Sequence, residues 1–210
     1  MTIGEKIFIE FCNRNRIKFE KISEKESTKT PDFKIKLNKK NIFIEIKDIN
    51  LNNEEKESIQ KYKKNGYAVW GNSKVGNRIR NKIANSSKQL KYSTQHNYST
   101  VLVLYDNRPP DVSILSSYEI KTAMYGFESK LIEGNLVTKS FFGSKKQMTY
   151  ESRTYISAIG IINNFYEMRL YLNNYAKYPL NIASWKEIDD VFIYKLEKDP
   201  DITFSNWIRI

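Results

Sequence analysis

Residues 30–50 read TPDFKIKLNKKNIFIEIKDIN, and this stretch decides the fold. Two runs that alternate apolar and polar residues, Phe33 to Leu37 and Ile42 to Ile46, flank the polar segment Asn38-Lys39-Lys40-Asn41. Alternation on both sides of a turn-like segment predicts a β-hairpin. Strand side chains repeat every two residues, so Glu45 and Lys47 point to one face. Asp32, at the start of the partner strand, is close enough to join them. Two carboxylates and an amine at a sheet edge suit a hard cation with a lysine beside it. Magnesium matches such oxygen ligands, because it keeps several waters and takes one or two protein carboxylates plus substrate phosphate.

Pro31, Asp32, Glu45 and Lys47 together resemble the PD-(D/E)XK nuclease superfamily, the fold of many restriction enzymes, junction resolvases and repair nucleases. The resemblance implies an α/β, restriction-endonuclease-like core running helix, three strands, helix, strand, over roughly the first half of the chain. It also implies that Asp32 and Glu45 hold Mg2+, for which Mn2+ substitutes. Relatives often add a glutamate from the first helix. Here that is Glu5 or Glu10, against the alternative of an ordinary solvated helix charge. Lys47 would orient or activate the attacking water and stabilise charge on the scissile phosphate. Some relatives carry a glutamine on the helix after the lysine strand, and Gln89 is the matching residue. The Q-x-x-x-Y spacing is not met, because Ser93 stands four residues beyond Gln89 and Tyr92 one position early.

The flanking segments agree with such a core. Residues 3–15 place Ile3, Ile7, Phe8 and Phe11 on one helical face. Ile17 to Ile22 alternates as a first strand, and Ser23 to Thr30 reads as a loop. Residues 51–73 are polar and read as an irregular insertion. In it, Tyr67 and Trp70 either stack on unpaired bases or pack the loop down. Gly76 to Lys91 reads as a basic helix, with Arg78, Arg80, Lys82 and Lys88 around Ile79, Ile83 and Leu90. These four cations are the candidate phosphate contacts. Ser99 to Tyr105 is a continuous apolar run that suits a central strand buried on both faces. Asp106 reads as a turn former, with a ligand at the strand end as the alternative.

Beyond residue 110 the pattern predicts a short helix over Tyr118 to Tyr125, stopped by Gly126. Strands follow around Leu136 to Phe142, Thr154 to Ile162, Met168 to Leu172 and Val191 to Leu196. They read as a mostly antiparallel extension, residues 111–210, packed on the nuclease core of residues 1–110.

Composition narrows the function. The chain has 210 residues and a formal net charge of +11. Residues 1–110 hold 23 Lys+Arg against 12 Asp+Glu, whereas residues 111–210 hold 12 of each, so the excess lies wholly on the half with the candidate site. A basic face attracts phosphate backbones and makes binding salt-dependent. One cysteine, Cys12, excludes an intramolecular disulfide and a cysteine-based zinc site. One histidine, His96, argues against Ser-His-Asp hydrolases and histidine-metal nucleases. No Walker motif, signal peptide or membrane-length apolar run is present, so a cytoplasmic protein with no membrane partner is expected. The reading is a metal-dependent nuclease acting on DNA, alone, as a homodimer or beside a partner protein. Its alternative is a non-catalytic nucleic-acid-binding module with a degenerate nuclease site.

Overall fold

The structure, a computed structural model, describes residues 1–23, 30–68, 75–92, 97–110 and 115–210. Trp70, Ser93 and His96, and most of the loop expected over Ser23 to Thr30, lie outside the described residues.

The architecture is mixed α/β. Helix α1 (Ile3–Arg14) leads into β1 (Lys18–Lys21), β2 (Phe33–Leu37) and β3 (Lys40–Ile49). Helices α2 (Asn53–Asn65) and α3 (Asn77–Tyr92) follow, then β4 (Ser99–Asp106). The second half adds α4 (Ser117–Tyr125), β5 (Glu128–Glu133), β6 (Leu136–Phe142), β7 (Ala158–Ile162), β8 (Met168–Leu172), α5 (Ile182–Lys186), β9 (Val191–Leu196) and β10 (Trp207–Arg209). Eight strands form one sheet in the order β1-β2-β3-β4-β7-β8-β9-β10, while β5 and β6 pair separately.

The hairpin forms as the alternation predicts, with a tighter turn. Leu37 pairs with Lys40, so only Asn38 and Lys39 lie between the strands. Their φ values of 44° and 67° are both left-handed, as a two-residue type I′ turn requires. β3 then lies parallel to β4, with Glu45 opposite Leu102 and Lys47 opposite Leu104.

Two cores cover the two faces of the sheet. On one face, α1 packs Phe8, Phe11 and Cys12 against Phe33, Ile35, Ile44, Ile46 and Val103. Burial pushes the Cys12 thiol up to about 12, so it serves as an inert core residue. On the other face, Ile79, Ile83 and Leu90 of α3 and Ile120 and Met124 of α4 cover Ile49, Leu102 and Leu104.

The second half and the segment before α3 match the sequence expectations in part, with two corrections. The segment 51–73 is not irregular throughout, because α2 occupies most of it. Asn52 accepts from the Glu55 N–H and Glu55 caps the Asn52 N–H in return, and Gly66 closes the helix at φ 76°. The extension is mostly antiparallel, as expected, through β5–β6, β7–β8 and β9–β10, while β4–β7 and β8–β9 are parallel pairs. Parallel neighbours need crossover connections, here running through α4 and α5. The strand expected from Thr154 begins only at Ala158.

Candidate active site

Asp32 and Glu45 meet where β2 leaves the ladder. Phe33 pairs with Ile44, so the next rung sets Asp32 opposite Glu45. The backbone N–H of Ile46 donates instead to Asp32 Oδ2 at 2.7 Å. The Asp32 carboxylate thus replaces a missing ladder carbonyl, which fixes its position.

Glu45 is the one buried acidic residue among the described residues. It is 0% exposed, and neither carboxylate oxygen accepts a well-aligned hydrogen bond. Lys47 Nζ lies in salt-bridge contact with its Oε1. Burial first, and the Asp32 charge second, push the Glu45 carboxyl up to about 7, with Lys47 opposing. Asp32 is also raised, chiefly by burial, while the Ile46 N–H and Lys47 hold it down. The Lys47 side chain is partly exposed, so its ammonium sits at the mouth of the site.

Of the two helix glutamates, only Glu5 joins this group. It lies in the first turn of α1, largely buried, and accepts from Lys21 Nζ at 2.7 Å. Its charge is one of those that raise Asp32. Glu10 stands on an exposed flank beside Arg14 at 3.5 Å, away from the group. Among the described residues, no three His, Cys, Asp or Glu side chains come close enough to hold a metal by themselves. The site therefore offers two carboxylates, Asp32 and Glu45, with Glu5 behind Asp32 and tied to Lys21.

Asp48 contributes in a way the sequence pattern does not reveal. It lies on the other face of β3 from Lys47. Its Oδ1 accepts the Gly4 N–H at 3.0 Å and the Thr2 hydroxyl at 3.3 Å. A Cβ at Gly4 would stand 2.3 Å from that oxygen and 2.9 Å from Tyr105 Cβ, so only glycine lets α1 dock this closely. This docking brings Glu5 to the site. The available signal is a glycine in the first turn of an amphipathic helix.

Helix α3 returns along the face that carries Glu45 and Lys47. Ile79, Ile83 and Leu90 bury its centre line. Lys82 and Gln89 are seven residues apart and so share one flank. Burial, then the nearby Lys47 charge, lowers the Lys82 ammonium, with Asp48 opposing, so this flank borders the site. Gln89 Oε1 and Ser86 Oγ are buried without a hydrogen-bond partner.

The four expected phosphate contacts separate. Arg80 does not face outward: it is 6% exposed and its guanidinium donates to the Thr122 and Val75 carbonyls and to Asn77 Oδ1. It occupies the flank of α3 opposite Lys82, where it ties the helix to α4. Arg78 is partly exposed and binds Glu55 at 2.8 Å and the Asn50 carbonyl at 3.3 Å, bracing α2. Lys88 is exposed on α3. Arg108, which no sequence motif singles out, holds Asp106 at 2.7 Å and Glu55 at 3.2 Å.

No protein-family model, curated protein or solved structure matches this chain. No helix among the described residues is long and apolar enough to cross a membrane.

Proposed function

We propose that the chain is a metal-dependent nuclease that hydrolyses phosphodiester bonds, in DNA, on a restriction-endonuclease-like core. One observation carries the reading: Glu45 is fully buried, its oxygens lack well-aligned donors, and it faces a second carboxylate with Lys47 in contact. Desolvating a carboxylate beside a second one costs free energy that the Lys47 contact and the Asp32 N–H offset only in part, so a fold retains it where something else compensates it. The order α1-β1-β2-β3, then α3-β4, also supports the reading, as does the basic first half.

The donor set fits magnesium. Two carboxylates converge, which is what that ion takes from protein, and the remaining positions fall to water and phosphate oxygens. Asp32 and Glu45 would hold it, with Glu5 reaching it through water. Bound there, it supplies positive charge to the phosphate and lowers the pKa of water.

The chain's own residues do the rest. Lys47, at the mouth of the site, donates to a non-bridging phosphate oxygen and orients the attacking water. Lys82 adds a second cation from the α3 side. Asp48, by pinning Gly4, keeps Glu5 and the hairpin in register.

Incubation of supercoiled plasmid with the protein, in magnesium or manganese and in chelator, tests this. Relaxation or linearisation with metal alone is expected. Retardation without cleavage under either metal would overturn the nuclease and leave a nucleic-acid-binding module.

A further inference from the structure

Among the helices of the described residues, α2 has a construction of its own. None of its residues is buried. It is held at its N-terminal half: the capping box closes its first turn, and Glu55 binds Arg78 and Arg108. Ser58 and Ile59 continue the half-buried side, and every residue from Gln60 to Tyr67 is exposed. A helix of about a dozen residues is marginal alone in water, so the caps and the two arginines maintain it.

The exposed half has a definite chemistry. Lys61, Lys63 and Lys64 stand on it, and no acidic residue occurs from Ser58 to Ala68. None of these lysines forms an ion pair among the described residues. Tyr62 is 56% exposed and Tyr67, just past the Gly66 cap, is 71% exposed. Neither ring is buried against the described residues. The base of the helix follows directly on β3, the strand that carries Glu45 and Lys47, and Arg78 of α3 holds both Glu55 and the Asn50 carbonyl at that junction.

We propose that residues 60–67 form an arm that grips an unpaired nucleic-acid strand beside the catalytic group. The lysines take the phosphates, and Tyr62 and Tyr67 stack on bases. Cations that track a backbone, interleaved with aromatic rings that any base satisfies, are the means by which single strands are bound without sequence preference. The inference deepens the nuclease reading by naming the form of substrate at that site.

The test is fluorescence anisotropy of labelled oligothymidylate and of a labelled duplex, in chelator so that nothing is cut. Three proteins are compared: wild type, K61A/K63A/K64A and Y62A/Y67A. All replaced side chains are exposed, so circular dichroism and melting temperature should match wild type. Wild type should prefer the single strand. The lysine variant should flatten the plot of log affinity against log salt by up to about 2, at about 0.7 per lost single-strand contact. The tyrosine variant should bind oligothymidylate about tenfold more weakly or worse, with the salt slope kept. Equal affinities in all three proteins, or preference for the duplex, would overturn the arm. Cleavage is read separately with magnesium. An inactive wild type whose binding still depends on the arm would refute the nuclease and spare the arm, and the reverse outcome would do the opposite.

Discussion

The two faces of β3 are built to opposite rules. Ile42, Ile44 and Ile46 point at α1 and disappear into an apolar core with Phe8, Phe11 and Phe33. Phe43, Glu45, Lys47 and Ile49 alternate with them on the other face, where a buried carboxylate and a lysine sit below α3. Both faces are covered, yet β3 gives the first only isoleucines from Ile42 to Ile46 and the second a carboxylate and a lysine between Phe43 and Ile49. The first is what burial rewards, at roughly 25 cal/mol per Å2 of apolar surface. The second opposes it, because desolvating the two carboxylates raises both pKa values. A strand that stabilises the fold through one face tolerates a local cost on the other, and such a cost marks a site of function.

The sharpest way to break this comparison is one substitution per face. Lys47→Ala should reduce cleavage by roughly a hundredfold to ten-thousandfold, as removal of a positioned proton-handling group does, and barely change DNA affinity. One cation among many contributes little to backbone binding. Kinetics at saturating plasmid, with binding measured in parallel, decide it. Wild-type cleavage by Lys47→Ala would remove the lysine from the chemistry. On the opposite face, Ile44→Ala should destabilise the protein by about 2–5 kcal/mol through lost burial and a cavity. Denaturant titration reads that loss. Below the melting transition, the magnesium requirement of this variant should match wild type. A change in metal requirement without a change in stability would mean that the faces are not separate.

The two faces are also unequally legible in the sequence. The alternation over Phe33 to Ile46 reveals the hairpin, because a half-covered strand must alternate. It places Glu45 and Lys47 together, since a period of two leaves no freedom. It does not separate Glu5 from Glu10. That choice depends on how α1 docks, through Gly4 on Asp48, a contact 44 residues apart in the chain. Helix α2 escapes because it buries nothing and so has no apolar period. Its signal is the cap, Asn52 with Glu55, and Gly66 at the far end. Arg80 reads as a surface cation for a related reason. Net charge identifies a basic segment but not which arginine turns inward to backbone carbonyls. The parallel pairs β4–β7 and β8–β9 join distant segments, and strand pattern alone does not choose a neighbour. The short α5 and β10, five and three residues long, fall below the length at which periodicity speaks.

Glu45 supplies a smaller effect with a definite sign. Its carboxyl rises from the ordinary 4.5 to about 7 in the folded chain, so the native state holds the proton more tightly than the unfolded state. Stability from this group is complete below pH 4.5 and is lost as pH rises through 7. In chelator, wild type should lose up to about 3 kcal/mol over that window from this residue, because each tenfold gain in proton affinity is worth about 1.4 kcal/mol. Glu45→Gln keeps the shape and removes the titration. Its stability should be flatter over the same range and equal to or greater than wild type at about pH 8, above the folded-state value. Parallel curves for the two proteins would mean that Glu45 is not strained in the native state.

The most direct measurement concerns the cation itself. Thermal melts of wild type and Glu45→Gln are compared at that same alkaline pH and fixed ionic strength, in chelator and in excess magnesium. A ligand that binds only the native state stabilises it by RT ln(1 + [L]/Kd), about 2.7 kcal/mol at a hundredfold excess over Kd. For a chain of this length that raises the melting temperature of wild type by roughly 5–10 °C. Glu45→Gln, with one carboxylate of the pair neutralised, should gain much less. Equal magnesium shifts in the two proteins, or none in wild type, would contradict the assignment of Asp32 and Glu45 as a metal site.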